Sequence, residues 1–154
     1  MANPQNRALW WALVASLLIY VVVAHAVNVP PGPDVQVRVV APILALLSVG
    51  FGVGSLIYRR RALSAPIQSG ELDPATAEGR QRAFVPFVLN LVVSETVGVY
   101  GLVLAFLSGD PAYSMLFSSA ALVLMFFHRP TAPDLVPPLS GHPRADDPRP
   151  DARG

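Results

Sequence analysis

Four long apolar runs, separated by short polar segments, constrain the fold more than any other feature of the chain. They cover residues 8–27, 39–58, 83–107 and 111–127. A helix needs about 20 apolar residues to cross the hydrocarbon core of a bilayer, and these runs match that length. Only 14% of the residues are charged, whereas soluble domains contain about 25%. We therefore predict an all-α, polytopic membrane protein whose residues 1–128 form four antiparallel transmembrane helices.

The remaining residues, 129–154, have the composition of a disordered cytoplasmic tail. They contain seven prolines together with scattered Asp and Arg, so they cannot bury enough apolar surface to fold. The connection at 59–82 is also polar, and its stretch DPATAEGRQR could hold one helical turn with Asp73 as the N-cap. The stretch SGDPAYS predicts a tight turn between the third and fourth helices.

All eleven basic residues are arginine, and their distribution predicts the topology. Ten of them lie in the N-terminal segment, the 59–82 connection and the tail, whereas Arg38 alone lies on the opposite side. Positively charged residues favour the cytoplasmic side of a membrane protein, so we place both termini in the cytoplasm. The absence of lysine, with abundant Ala, Val, Gly and Pro, is typical of a GC-rich bacterial genome and indicates the bacterial inner membrane.

An alternative interpretation of the first run is a secretory signal peptide. Arg7, an apolar stretch and the sequence AHA at residues 24–26 fit the pattern of such a signal with its cleavage site. The run is long for the apolar region of a signal, and three more runs follow it, which favours a retained helix. Cleavage would leave three helices with the same orientation, so the arginines do not separate the two interpretations.

No motif of soluble catalysis occurs in the chain. It has no phosphate-binding glycine loop, no metal-binding histidine cluster, no nucleophile elbow and no cysteine. We predict that the protein is not an enzyme and takes no cofactor or metal ion. The expected partners are the lipid bilayer and either further copies of the chain or a larger membrane complex, with no role for nucleic acid.

Small residues recur at helical spacing in the second and third runs, and they predict where those helices pack. Such stripes let two helix backbones approach closely in a membrane. We expect the two stripes to face each other across an antiparallel hairpin. The second run carries Ala41, Ala45, Ser48, Gly52 and Ser55, with Gly50 and Gly54 beside them, and the third carries Asn90, Ser94, Gly98, Gly101 and Ala105.

Glu95 lies inside the third apolar run and is the residue from which a function can be argued. It is twelve residues beyond Ala83, about 18 Å along a helix and so near the bilayer midplane. An ionised carboxylate there costs at least about 2.5 kcal/mol, and no arginine lies within any run to offset that cost. We therefore expect a neutral carboxylic acid. Its candidate hydrogen-bond partners are Tyr20, at nearly the same depth, and Ser48, Ser94 and Thr96.

The sequence ETVGVYGLV at residues 95–103 resembles the second helix of the proteolipid c subunit of rotary ATP synthases. In that family a glycine-rich helix runs to the cytoplasm, an Arg-Gln loop turns the chain, and a helix with a proton-binding glutamate returns. The resemblance implies that Gly50, Gly52 and Gly54 belong to the close-packed helix and that Glu95 is the proton site. The third and fourth runs are also similar to small bacterial four-helix membrane proteins with the same glutamate sequence, a GD turn and a last helix ending near HRP.

Two functions stay open for a protein of this kind. In one, it is structural or accessory within a membrane complex, and the neutral Glu95 carboxyl is a hydrogen-bonding link between helices. In the other, it is a proton-translocating, proteolipid-like subunit in which Glu95 binds the proton. A carboxyl buried against Tyr20 or a serine would favour the first function. A carboxyl that faces lipid on each protomer of a ring would favour the second.

Overall fold

The computed structural model describes residues 4–27 and 29–130, and this part of the chain is predominantly helical. The helices are α1 (Pro4–Ala26), α2 (Asp34–Arg59), a π-helical segment (Arg60–Ser64), α3 (Ala65–Ser69), α4 (Ala77–Ser108) and α5 (Ala112–Phe127). No β-strand occurs among the described residues. The prediction of an all-α fold is confirmed.

Three helical segments are long and apolar enough to cross a membrane, and they cover Pro4–Ala26, Gln36–Ser69 and Ala77–Ser108. The apolar α5 is shorter, because its 16 residues extend only about 24 Å. The prediction of apolar, membrane-compatible helices is confirmed at this level. Apart from Arg129 and Pro130, the predicted tail at 129–154 lies outside the described residues.

Contacts at the two ends of the bundle fix the directions of the helices. At one end, the connection between α1 and α2 lies against the turn between α4 and α5, where Gly32 N donates a hydrogen bond of 3.1 Å to Leu107 O. At the other end, Trp10 Nε1 donates to Met125 O at 2.9 Å. Therefore α1 and α4 run in one direction, while α2 and α5 run in the other.

The central helix of the bundle is α4, which contacts α1, α2 and α5. Its buried Leu91 and Leu104 join the same apolar core as Leu17 of α1. On another side of α4, the rings of Phe51 and Tyr100 stack with their centroids 6.3 Å apart and connect this helix to α2. Buried residues form 39% of the apolar window of α4 but only 11% of that of the α2 segment. The other helices are therefore arranged around α4.

The second helix continues beyond its predicted end at Tyr58. The chain stays helical through the π-helical segment and α3, so the prediction of a loop in this region is wrong. Leu63 and Ile67 explain the difference, because both are only 2% exposed and pack into the apolar core. Gly70, with a φ of 78°, ends the helix in the left-handed conformation that glycine adopts without strain.

The start of α4 also differs from the prediction. Thr76, and not Asp73, is the N-cap, and its side chain accepts a hydrogen bond of 3.0 Å from Gly79 N. Asp73 instead closes the preceding turn, because its Oδ1 accepts a hydrogen bond of 2.8 Å from Ala75 N. A side chain at Gly79 would collide with the carbonyl group of Asp73. The turn and the cap therefore fit together because this position is glycine.

The predicted contact between the two stripes of small residues is wrong, because the stripe of α4 faces α5 and α1. A Cβ added at Gly101 would lie 2.9 Å from Tyr113 O and 3.2 Å from Ser114 Cα, both in α5. A Cβ added at Gly98 would collide with Leu17 of α1. The tight turn after α4 brings α5 back beside it, and the small residues accommodate that close neighbour.

The small residues in the stripe of α2 differ from one another in what surrounds them. Gly52 is buried, and a Cβ at this position would be 3.5 Å from the side chain of Leu124 in α5, an ordinary contact distance. A Cβ at Gly50 or Gly54 would meet no neighbouring atom within 4 Å, and Ala45 is exposed. These last three residues therefore do not pack against another helix of the described bundle, contrary to the prediction.

Candidate functional site

One carboxyl group and two hydroxyl groups meet between α1 and α4. Ser16 Oγ lies 2.7 Å from Glu95 Oε1, and the Tyr20 hydroxyl donates a hydrogen bond of 2.9 Å to the same oxygen. Ser16 and Tyr20 are four residues apart, so they project from one face of α1. All three side chains are half-buried. We call these three side chains, together with the backbone carbonyl of Leu13, the Glu95 cluster.

Leu17 and Gly98 allow α1 to approach α4 closely enough for these contacts. Leu17 follows Ser16 and is completely buried, whereas Gly98 lies almost one turn beyond Glu95. A Cβ at Gly98 would collide with the end of the Leu17 side chain. The glycine therefore leaves the space that Leu17 fills, and the two parallel helices come close enough for the hydroxyl groups to reach the carboxyl.

The Ser16 hydroxyl lies between two acceptor oxygens of the Glu95 cluster. Ser16 Oγ lies 2.7 Å from Leu13 O as well as from Glu95 Oε1, so the cluster has three short oxygen–oxygen contacts. The hydroxyls of Ser16 and Tyr20 supply one hydrogen each. The single hydrogen of Ser16 Oγ is therefore shared between two acceptors, Glu95 Oε1 and Leu13 O. The neutral carboxylic acid expected from the sequence stays a prediction.

The arginines of α4 lie far from the Glu95 carboxyl. Among the described residues, no basic side chain forms an ion pair with Glu95. The nearest arginine of α4 is Arg82, thirteen residues earlier and about 20 Å away along the helix. Its Nη2 instead lies 2.8 Å from Glu78 Oε1 on the exposed first turns of α4. A carboxylate at Glu95 would therefore have no basic partner among the described residues.

Of the four candidate partners of Glu95, only Tyr20 contacts it, and the other three do not. Tyr20 contacts Glu95 as described, but Ser94 and Thr96 each donate a hydrogen bond of 2.9 Å to the carbonyl four residues earlier in α4. Ser48 of α2 is likewise bonded to the carbonyl four residues earlier, at 2.7 Å. Hydroxyl groups in helices often bond to their own backbone in this way. These three residues are therefore not members of the cluster.

Ser16 is the member of the cluster that sequence reasoning missed. Its signal in the sequence is weak but specific, because it lies one helical turn before Tyr20 and therefore shares its face. That face becomes significant only when α1 is known to lie against the Glu95 side of α4. The position of Gly98 opposite Leu17 supplies this information, and it is a tertiary contact.

Comparison with known proteins identifies no relative of this chain. No protein-family model matches the chain, and no curated protein or solved structure gives a match. The resemblance to the proteolipid hairpin and to small bacterial four-helix proteins therefore stays a prediction. The chemistry of the Glu95 cluster carries the functional argument.

Proposed function

We propose that the chain is an integral protein of the bacterial inner membrane, with four transmembrane helices and both termini in the cytoplasm. The length and apolar composition of three helical segments support membrane insertion. The contact between Trp10 and Met125 supports a fourth crossing by α5, because it joins the start of α1 to the end of α5. A crossing helix of 16 residues requires modest local thinning of the bilayer.

Within that membrane, the protein acts as a structural or accessory subunit of an assembly, formed with its own copies or with other membrane proteins. The observation that carries this proposal is the hydrogen bonding of Glu95 to Ser16 and Tyr20. An acid committed to two hydroxyl groups of a neighbouring helix links α1 to α4. Interhelical hydrogen bonds in membranes contribute about 0.6 kcal/mol on average and up to about 1.7 kcal/mol.

The structural role is tested by Glu95→Gln, which retains an acceptor and a donor at the same position. We expect this variant to reach the same amount of folded protein in the membrane and the same assembly size in native electrophoresis. Glu95→Met, which keeps the length of the side chain and removes its hydrogen bonds, should reduce both. Equal behaviour of the Met variant and the parent would contradict a structural role.

Topology is tested with reporter fusions at three positions of the full chain. Reporters at Arg61 and Gly154 should report the cytoplasm, and a reporter at Pro33 should report the periplasm. A periplasmic reporter at Gly154 would contradict four crossings. Proteolytic processing near Ala26 would instead support the signal-peptide interpretation of α1.

The second candidate function is a proton-translocating, proteolipid-like subunit that uses Glu95. Two observations favour it. The carboxyl is only half-buried, and both hydroxyl groups contact Oε1, so neither of them occupies the second carboxyl oxygen. A hydrophobic carbodiimide reacts with protonated carboxyls that it can reach from lipid, so labelling of Glu95 should occur and should fall as the pH rises. Absence of labelling at every pH, together with a fully functional Glu95→Gln variant, would exclude this function.

A further inference from the structure

Arginines concentrate at the end of the bundle where α1 and α4 begin and α5 ends. Seven of the eight arginines in the described residues lie there, and Arg38 alone lies towards the other end. Three acidic residues accompany them, all in the connection before α4 or in its first turn. The arginines are Arg7, Arg59, Arg60, Arg61, Arg80, Arg82 and Arg129, and the acidic residues are Glu71, Asp73 and Glu78.

The protein itself already engages several arginines of this end, which include Arg59 and Arg129 as well as Arg80 and Arg82. Arg82 forms an ion pair of 2.8 Å with Glu78. Arg80 Nη1 donates a hydrogen bond of 2.6 Å to the carbonyl of Ala75. Their guanidinium groups therefore stabilise the first turn of α4 and the turn before it.

Arg60 and Arg61 differ from these arginines. Both are exposed, and neither guanidinium group forms a hydrogen bond or an ion pair with another described residue. They occupy the π-helical segment directly after the apolar α2. The same segment is fixed to the bundle through Leu63, which is 2% exposed. The two guanidinium groups therefore belong to a helical segment that is packed against the rest of the bundle.

The position of Arg60 and Arg61 along the bundle axis fits the expected boundary between the hydrocarbon core and the lipid headgroups. Tyr58, less than one turn earlier, and Phe84, near the start of α4, are both exposed aromatic residues at this end of the bundle. Aromatic residues concentrate where the hydrocarbon core meets the headgroups. A guanidinium group binds phosphate oxygens through parallel N–H donors, and juxtamembrane arginines attract anionic lipids.

We propose that Arg60 and Arg61 form a binding site for the phosphate group of an anionic phospholipid in the leaflet that surrounds this end of the bundle. This inference rests on the proposed membrane location. Each juxtamembrane arginine strengthens the binding of an anionic lipid about fivefold, so loss of the pair weakens it roughly 25-fold. Arg80 and Arg82 contribute much less, because Ala75 O and Glu78 already occupy them.

The test compares two double variants of the full chain that lose equal charge from the same end of the bundle. Purified protein in detergent micelles is titrated with phosphatidylglycerol, and bound lipid is counted by native mass spectrometry. The Arg60→Gln, Arg61→Gln variant should bind at least tenfold more weakly than the parent. The Arg80→Gln, Arg82→Gln variant should bind within about threefold of the parent. These factors follow from the value for each arginine given above.

Three results would overturn the proposal. Equal weakening in both double variants would show a diffuse charge effect, and no weakening in either would show that Arg60 and Arg61 bind no lipid. Competition by inorganic phosphate at the lipid concentration would show a site for free phosphate. If the first double variant fails to fold, single Arg60→Gln and Arg80→Gln variants provide the same comparison, with an expected fivefold loss in the former only.

A separate measurement distinguishes failure of this proposal from failure of the proposed function. The parent is reconstituted with zwitterionic phosphatidylcholine vesicles and floated on a density gradient after alkaline extraction. Loss of the protein from the vesicles would contradict the membrane location itself. Retention in the vesicles, with unchanged phosphatidylglycerol binding in the Arg60→Gln, Arg61→Gln variant, would contradict the arginine site alone.

Discussion

The Glu95 carboxyl shares its Oε1 atom between two side chains of α1. Ser16 Oγ also lies within hydrogen-bond distance of Leu13 O, so its single hydrogen is shared between the backbone and the carboxyl. The carboxyl has no basic partner among the described residues of this apolar helix, and we therefore predict a neutral acid.

Infrared spectroscopy measures the protonation state of Glu95 directly. We expect the parent at neutral pH, in lipid vesicles, to show the carbonyl stretching band of a protonated carboxylic acid, because an ionised carboxylate without a basic partner is costly inside a membrane. The band should disappear in Glu95→Gln. Ser16→Ala should shift its frequency, because the carboxyl then loses one of its two hydrogen-bonding side chains.

The controls for this experiment come from the same chain. Ser94→Ala should leave the band unchanged, because Ser94 donates to its own helix and does not contact the carboxyl. A parent spectrum without the protonated band at neutral pH would contradict the neutral acid. The Glu95 cluster would then hold a carboxylate with two hydroxyl donors.

At the scale of the helices, the space around each glycine shows which positions have a close neighbouring helix and which do not. Gly101 faces the backbone of α5, whereas Gly50 faces open space on α2. Both lie within helices of apolar composition, and sequence alone assigned both to helix packing. The difference arises because α4 is surrounded by three helices, whereas α2 contacts mainly one.

Gly101→Ala and Gly50→Ala form a matched pair of variants. The added methyl group at Gly101 would lie 2.9 Å from Tyr113 O, so overpacking should outweigh the helix preference of alanine and lower the free energy of unfolding by about 1–2 kcal/mol. At Gly50, alanine should be neutral or stabilising by up to about 1 kcal/mol. Unfolding in mixed micelles measures both, and equal effects would contradict the assigned neighbours of α4 and α2.

Gly109 and Gly70 form a second pair, because both end a helix with positive φ, 70° and 78°. Alanine at either position should cost about 1–2 kcal/mol for the left-handed conformation. At Gly109 a Cβ would also lie 2.9 Å from Val29 O, whereas at Gly70 it would meet nothing within 4 Å. Gly109→Ala should therefore lower the unfolding temperature further than Gly70→Ala. The reverse order would contradict the contact between the two connections.

At the scale of the whole molecule, sequence predicted the elements better than their contacts. The apolar runs predicted the principal helices because hydropathy and length determine which segments suit a bilayer. The partners of each helix face were not predictable in the same way, because lipid chains and neighbouring helices are equally apolar. The stripe of α4 was therefore assigned to α2, although Gly98 and Gly101 face α1 and α5. Leu63 and Ile67 lie in the predicted connection, where their burial in the core stabilises a helix that the polar composition does not predict.

Cysteine cross-linking tests the arrangement of helices around α4. The chain contains no cysteine, so introduced pairs form without competition from native thiols. Leu17→Cys with Gly98→Cys should form a disulfide on mild oxidation in membranes, because a Cβ at Gly98 would lie 3.7 Å from Leu17 Cγ, close to the position that a cysteine sulfur at residue 17 would occupy. Leu17→Cys with Gly50→Cys should remain reduced. Cross-linking of the second pair in place of the first would contradict the position of α1 beside α4.

The link between Tyr20 and Glu95 is tested most directly by a double-mutant cycle on the free energy of unfolding. The cycle uses Tyr20→Phe, Glu95→Met and the combined variant in mixed micelles, because each single change removes one partner of the hydrogen bond. We expect a coupling free energy of about 0.6–1.7 kcal/mol between the two positions. Additive effects, with a coupling free energy below about 0.3 kcal/mol, would contradict the claim that Glu95 holds α1 against α4.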